Sequence, residues 1–169
     1  MKSTLLAFAL SAVFASSAMA KTYDIELHQS KTNPLQWTGS FNLSQPTPLE
    51  GDYFSDTYNF KPDLPGNLKI NGGVINFFGY DDEKIYFTNV SLNGVSLDLT
   101  YGDGESKARL FNTVLSGPLT LRVSGFTGSS ASYSGNFNIT TAVPEPATYG
   151  MLLGGLGLVG MAARRRKAQ

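Results

Sequence analysis

The chain has 169 residues, with thirteen basic and thirteen acidic side chains, one histidine and no cysteine. Without cysteine, disulfides, thiolate metal sites and thiol catalysis are excluded, and a single histidine excludes a three-histidine zinc site. The net charge of zero hides an asymmetry, because residues 21–146 carry eight basic and thirteen acidic side chains, a balance of minus five. An acidic exterior does not favour nucleic acid, which we do not expect as a partner.

The first 20 residues have the composition of a secretory signal peptide. A lysine near the start is followed by an apolar run and then by a small-x-small cleavage site that ends at Ala20. Cleavage between Ala20 and Lys21 makes Lys21 the first residue of the exported protein. We therefore expect a signal peptide at 1–20 and an exported domain at 21–142.

The middle of the chain has the pattern of short β-strands. Apolar and polar side chains alternate with a period of two, and runs of this kind are separated by glycine, proline and asparagine. Amphipathic stretches long enough for a helix are absent. The predicted strands are 22–28, 36–44, 53–60, 67–78, 84–91, 95–101, 108–115, 118–124 and 133–141.

Short strands with regularly spaced turns predict an all-β domain. We expect an antiparallel β-sandwich, jelly-roll-like or immunoglobulin-like, although the pattern barely separates a sandwich from a barrel. Asn93-Gly94 lies between two alternating runs and predicts a hairpin, because both positions of a type I′ turn need a positive φ. Asn71-Gly72-Gly73 interrupts another run and predicts a bulge or a tight reversal.

Asp56 is a charged residue on an otherwise apolar strand face that it shares with Phe54, Tyr58 and Phe60. A buried ionised carboxylate is costly unless it is hydrogen-bonded. We therefore expect Asp56 to accept hydrogen bonds from backbone N–H groups or from a tyrosine hydroxyl. Its predicted role is structural rather than catalytic.

Other candidates for chemistry are weaker. His28 lies on the polar face of the first predicted strand, and a Ser-His-Asp triad would have to use it. Trp37 could stack on sugar rings if it were exposed, but packing in the core is the favoured interpretation. Carboxylates in two turns could serve glycoside hydrolysis, or bind calcium if the turns meet, although solvated loops explain them as well. These carboxylates are Asp81, Asp82, Glu83, Asp103 and Glu105. We predict no catalytic residue, cofactor or metal.

The last 27 residues, 143–169, have three parts in a fixed order. Pro144-Glu145-Pro146 comes first, and its prolines oppose helix formation and hold the backbone extended. Residues 147–163 follow; they are uncharged and span about 25 Å as a helix, near the short limit for crossing a bilayer. Arg164-Arg165-Arg166 then marks the cytoplasmic side. An ordinary membrane anchor would need the second and third parts only.

The complete order resembles the PEP-CTERM sorting signal of Gram-negative bacteria. The resemblance implies recognition at Pro-Glu-Pro by an exosortase, a membrane protease, with anchoring in the inner membrane before processing. It further implies delivery to the cell envelope or the extracellular matrix, where such proteins are associated with exopolysaccharide and biofilm. Phe54, Asp56 and Tyr58 also resemble the F-x-D-x-F motif of one family of these proteins, with Tyr58 in the place of the second phenylalanine.

Three functions remain open at this point. The predicted one is a non-catalytic exported protein, sorted by an exosortase and associated with exopolysaccharide or biofilm. A carbohydrate-binding module carried by the same delivery signal is the alternative. A hydrolase is the third.

Overall fold

A computed structural model describes residues 20–44, 51–142, 150–156 and 158. Ten strands account for most of the described domain, and a short 3₁₀ turn covers Asp81–Glu83. The strands are β1 (Thr22–Gln29), β2 (Gln36–Ser44), β3 (Tyr53–Lys61), β4 (Asn67–Phe77), β5 (Ile85–Leu92), β6 (Val95–Ser96), β7 (Asp98–Gly102), β8 (Glu105–Ser116), β9 (Thr120–Thr127) and β10 (Ser132–Thr141). The all-β prediction is confirmed.

Hydrogen bonds join the ten strands in the order β6-β5-β9-β3-β1-β2-β10-β4-β8-β7. Neighbouring strands are antiparallel except β1 and β3, which are parallel. β1 changes partner along its length, because residues 22–26 pair with β3 and residues 27–29 pair with β2. The sheet bends at this strand, so its two halves lie face to face as the layers of a sandwich.

The opposite side of the sandwich is nearly closed as well. The predicted strand 95–101 is divided at Leu97. The Leu97 side chain is buried, and its N–H donates to the Val90 carbonyl at 2.8 Å. The chain passes from one layer to the other at this residue. β6 therefore pairs with β5 in one layer, whereas β7 pairs with β8 in the other. The Tyr101 hydroxyl donates to the Phe87 carbonyl across the remaining gap.

The core lies between the two layers and consists of alternate residues of each strand. On β3, Phe54, Tyr58 and Phe60 point inward, and on β10 the inward side chains include Tyr133 and Phe137. Rings from the two layers meet directly, as in the Phe60 and Phe137 pair with centroids 5.3 Å apart. Each such side chain contributes roughly 1.5–3 kcal/mol by leaving water, so burial stabilises a domain that has no disulfide.

The two predicted turn features are both present. Asn93 (φ 48°) and Gly94 (φ 81°) form the tight turn between β5 and β6, as the hairpin prediction required. The Asn71-Gly72-Gly73 segment does not reverse the chain. It remains within β4, and the register against β8 shifts between Ile70 and Gly72, which is a β-bulge.

Both terminal signals fall mostly outside the described residues. The parts outside the described residues are 1–19 of the signal peptide, Pro144-Glu145-Pro146, Arg164-Arg165-Arg166 and most of the predicted membrane helix 147–163. Within that last range, residues 150–156 and 158 are helical. In the part of the chain that the structure describes, no helix is both long and apolar enough to cross a membrane.

Candidate functional site

Asp56 is buried between the two layers, where the structure brings it together with Tyr133 and Tyr58. Its side chain is 0% exposed, and the Tyr133 hydroxyl donates to Asp56 Oδ2 over 2.7 Å. This confirms that the buried carboxylate accepts a hydrogen bond from a tyrosine. Tyr133 belongs to β10, far away in the sequence, so the local pattern on β3 could predict the kind of donor but not its identity.

A second tyrosine extends this contact into a chain of hydrogen bonds. The hydroxyl oxygens of Tyr58 and Tyr133 are 2.7 Å apart. Since Tyr133 has one hydroxyl proton and donates it to Asp56, Tyr58 must donate to Tyr133. Tyr58 also stacks on Phe41, with ring centroids 4.1 Å apart, and Phe54 stacks on Tyr133 at 5.6 Å. The polar groups are thus enclosed by rings on both sides.

Burial dominates the acid–base chemistry of this cluster. Desolvation raises the pKa of Asp56, although the hydrogen bond from Tyr133 and the nearby Lys21 lower it in part. Desolvation also raises the pKa of Tyr58 and of Tyr133, so both phenols stay protonated at neutral pH. A group sealed in this way has no path to a substrate. The geometry supports a structural role for Asp56.

The family-motif residues and the expected cleavage site meet at the same place. Phe54, Asp56 and Tyr58 share the inward face of β3. The carbonyl of Lys21 accepts from the N–H of Thr57 at 2.8 Å, just before β1 enters its parallel pairing with β3. Lys21 is therefore beside Asp56, while Ala20 on the other side of the expected cleavage site is exposed.

The remaining sequence candidates have ordinary structural positions. His28 is exposed at the end of β1, and Trp37 is half-buried and packs against the core, as the favoured interpretation had it. Glu83 accepts hydrogen bonds from the backbone N–H groups of Gly79 (2.7 Å) and Tyr80 (3.2 Å). Glu105 forms an ion pair with Lys107.

The two acidic turns do come together, since the Phe78 N–H donates to the Gly104 carbonyl at 3.0 Å. Their carboxylates nevertheless do not converge. Among the described residues, no three histidine, cysteine, aspartate or glutamate side chains form a group able to hold a metal ion. The calcium alternative that joined Asp81, Asp82 and Glu83 to Asp103 and Glu105 therefore has no ligand set in this part of the chain.

A groove on the outer face of the sheet is a feature that the sequence did not reveal. Its volume is about 410 Å³, within the range usual for ligand sites, and it lies over β4, β8 and β10. The floor contains Gly72 and Gly73. A Cβ atom at Gly73 would lie 2.3 Å from the Ala108 carbonyl oxygen, so close strand packing requires glycine there. The missing side chain of Gly73 leaves the space on the outer face empty, whereas Gly72 faces the core.

The walls of this outer groove carry polar side chains and one aromatic ring. Arg109 of β8 and Asn136 of β10 are both register partners of Gly73 and stand on either side of it. Phe111 is 64% exposed at the rim. Asn71, Ser134 and Asn138 supply further polar groups.

Phe111 lies on the outward face of β8 by ordinary alternation, because Ser106, Ala108 and Leu110 are buried and the residues between them face outward. A bulge follows directly. Phe111 and Asn112 are both placed opposite Asn71, since Gly72 pairs with Leu110 and Ile70 with Thr113. Asn112 has a positive φ of 47°, and its N–H donates to Asn71 Oδ1 at 2.8 Å. The bulge therefore changes the facing of the residues after Phe111. The only sequence signal was the bulge predicted at residues 71–73, which did not identify the partner strand.

Comparison with known proteins identifies the C-terminal signal. Residues 142–167 match the PEP-CTERM protein-sorting motif. The motif marks an exported protein that is anchored in the membrane before an exosortase, a membrane protease, processes it. The finer assignment of Phe54, Asp56 and Tyr58 to the F-x-D-x-F family stays a prediction. Among curated proteins, no sequence matches the chain.

Solved structures similar to this chain are remote. The pre-peptidase C-terminal domain of a collagenase from Bacillus anthracis is 11% identical, with a TM-score of 0.35 over 70% of this chain and 92% of that one. The catalytic domain of a GH87 alpha-1,3-glucanase in complex with nigerose is also 11% identical, with a TM-score of 0.26. That match covers 65% of this chain and only 22% of the glucanase. At these scores the likeness does not extend to function.

Proposed function

We propose that this chain is the precursor of a non-catalytic protein that an exosortase delivers to the cell envelope or the extracellular matrix, where it associates with exopolysaccharide. The observation that carries the proposal is the sorting motif at residues 142–167. In this scheme the prolines around Glu145 hold an extended site for the protease above the membrane. Residues 21–142 are then released as the working domain.

The absence of a catalytic role is supported by the positions of the acidic groups. Asp56, the carboxylate with a raised pKa, is sealed in the core. Glu83 binds backbone N–H groups and Glu105 binds Lys107, so each of these candidates already has a structural partner. The resemblance stated above connects such exported domains with exopolysaccharide, and the all-β domain offers broad exposed strand faces for contact with a polymer.

Fractionation of a host that has an exosortase and produces exopolysaccharide tests the proposal. We expect a form that has lost residues after the Pro-Glu-Pro site to appear in the polysaccharide-containing matrix. Deleting the polysaccharide-synthesis genes should release this form into the medium while leaving its mass unchanged. Full-length protein confined to the inner membrane, or matrix retention that does not depend on the polysaccharide, would contradict the proposal.

A further inference from the structure

We propose that the outer groove over β4, β8 and β10 binds a hydroxyl-rich sugar chain and is the site by which the domain holds polysaccharide. This inference rests on the proposed function and adds a location and a binding chemistry to it. It is carried by three observations, which are the glycine in the floor, the amide and hydroxyl walls, and the exposed ring of Phe111 at the rim.

The floor allows a flat ligand to approach the strand backbone. Gly73 faces the groove, and a Cβ there would lie 2.3 Å from the Ala108 carbonyl oxygen, whereas a Cβ at Gly72 would point into the core against Phe137. A side chain at position 73 therefore cannot fill the depression without moving a neighbouring strand. The depression is built into the sheet and does not depend on a loop.

The walls match the hydrogen-bonding character of sugar hydroxyls. A hydroxyl donates one hydrogen bond and accepts others, and an asparagine side chain can do both at once. Asn136 and Asn138 follow one wall, and their exposed faces continue into Thr38 of β2, whose hydroxyl donates to Asn138 Oδ1 at 3.3 Å. Arg109 and Lys107 add donors on the opposite wall, and the Lys107 ammonium is paired with Glu105. The remaining polar side chains of the groove are uncharged amides and hydroxyls, which suit sugar hydroxyls.

Phe111 supplies the apolar surface that a sugar ring needs. Phe111 is 64% exposed on the outward face of β8 and contributes little to the core. The bond from Asn112 N–H to Asn71 Oδ1 fixes the backbone beside it against β4. The ring can cover the C–H face of a sugar whose hydroxyls reach the amides.

The test uses the processed protein purified from its host, with the host's own exopolysaccharide, the neutral polymer dextran and the acidic polymer alginate as probes in affinity electrophoresis. We compare wild type with Phe111→Ala and Asn136→Ala. The matched control is Phe126→Ala, which removes a ring that is 45% exposed on β9, in the other half of the sheet. Thermal melting confirms that each exposed substitution leaves the fold intact.

We expect wild type and Phe126→Ala to bind the host polymer and dextran alike, and Phe111→Ala to bind about tenfold more weakly. Added salt should change this binding little. Equal binding by all variants would overturn the groove as the site while leaving the proposed function intact. Binding of alginate alone, abolished by salt, would also overturn the groove, since it indicates adsorption by surface cations. No binding of any polymer by wild type would defeat the proposed function itself.

A separate observation supports a second inference, which concerns the expected N-terminus. We infer that removal of the signal peptide creates an α-ammonium group at Lys21 that pairs with the buried carboxylate of Asp56. In the precursor this nitrogen is a peptide N–H. Cleavage after Ala20 would convert it into a cation without moving it.

The register of the strands places the two groups side by side. Thr22 is the partner of Thr57 in the parallel pairing of β1 and β3, so one step back along both strands brings Lys21 next to Asp56. Asp56 Oδ2 is bonded to Tyr133, whereas Oδ1 is buried and has no hydrogen-bond partner among the described residues. The main-chain N–H of Lys21, directly before β1, acts on this carboxylate.

Among the described residues, the titratable groups around Asp56 include no cation besides Lys21. The titratable groups that face it are Lys21 and Tyr23 from β1, Tyr58 from its own strand and Tyr133 from β10. The tyrosines remain neutral because their pKa values are raised. The Lys21 main-chain N–H already lowers the pKa of Asp56, so an ammonium in the same position stabilises the ionised carboxylate further.

Titration of the α-amine in the exported protein tests this pairing. Selective ¹³C-methylation of that amine allows its pKa to be followed by NMR. We expect a value above the usual range of about 7.7–8.0 and a return to that range when one alanine is inserted before Lys21, which moves the amine outward. Lys21→Gln serves as the control, because it removes the side-chain amine and keeps the α-amine. An ordinary pKa in wild type would overturn the pairing.

Discussion

The Tyr133 hydroxyl lies 2.7 Å from Asp56 Oδ2, and this bond joins β10 in one layer of the sandwich to β3 in the other. The Tyr58 hydroxyl completes the arrangement from β3. A purely apolar core would let the two layers slide between several packings of similar energy. A directional bond between a buried acid and a single tyrosine favours one alignment of the layers, at the cost of removing a carboxylate from water.

Replacing Tyr133 with phenylalanine tests the order of donors in this chain. Tyr133→Phe leaves a buried carboxylate and the Tyr58 hydroxyl without their partner, so we expect the free energy of unfolding to fall by about 1–3 kcal/mol. Urea denaturation measures the change. Tyr58→Phe should cost less, because Asp56 keeps its donor. A Tyr58→Phe penalty as large as that of Tyr133→Phe would show that the proposed order is wrong.

The raised pKa of Asp56 predicts how stability depends on pH in a protein that keeps a residue before Lys21, so that no α-ammonium lies beside the carboxylate. A carboxyl group whose pKa is higher in the folded state binds its proton more tightly there, so its contribution to stability is greatest at low pH. That contribution decreases as the pH rises from the unfolded pKa of about 3.9 through the folded value. Relative to wild type, Asp56→Asn should therefore gain stability as the pH rises through this window. Urea unfolding at a series of pH values measures the difference, and a difference that is constant or of opposite sign would count against the assignment.

Gly94 tests the backbone of the β5–β6 turn. No atom lies within 4 Å of a Cβ built at Gly94, so a side chain there meets only the constraint of φ 81°. Gly94→Val should destabilise the domain by at least about 1–2 kcal/mol, because a β-branched residue is strained at positive φ. Gly94→Asn is the matched control and should cost much less, since asparagine tolerates this region. Equal melting temperatures for the two variants would show that the destabilisation does not come from the positive φ of this residue.

The sorting signal predicts a difference between two forms of the C-terminal segment. Replacing Pro144-Glu145-Pro146 with three alanines leaves the apolar length and the arginines unchanged, so an ordinary anchor would function as before. Under the proposed function the variant loses its extended cleavage site and accumulates at full length in the inner membrane. Mass spectrometry and fractionation distinguish these outcomes. Wild-type protein that keeps Arg164 at the cell surface would refute exosortase processing.

Local sequence patterns were sufficient to predict most of the strands and the kind of hydrogen bond that Asp56 accepts. Alternation places Asp56 among apolar neighbours, and the cost of burying a charge then requires a donor. The same patterns could not show that β1 is parallel to β3 or that it divides its pairing between two strands, because partner choice depends on residues far apart in the chain. The 95–101 run was predicted as one strand since its alternation continues through Leu97, where tertiary packing breaks it.

The outer groove was hidden for a related reason. Its residues come from three strands, and the alternation of β8 alone shows that Phe111 faces outward but not which strands lie beside it. The positive φ of Asn112 has no glycine to mark it. In the sequence, the groove was marked only by the Gly72-Gly73 pair in its floor.

The position of β10 has a consequence for export. This strand is the last of the ten in the chain, yet it lies between β2 and β4 and is paired on both sides. Until residues 132–141 have crossed the membrane, one layer lacks an interior strand and the sheet cannot be completed. A chain in transit therefore stays unfolded until nearly all of the domain has been exported. The last described hydrogen bond of the sheet, from the Ala142 N–H to the Asn67 carbonyl at 3.1 Å, lies before Pro144, so cleavage at the Pro-Glu-Pro site removes none of the described pairing.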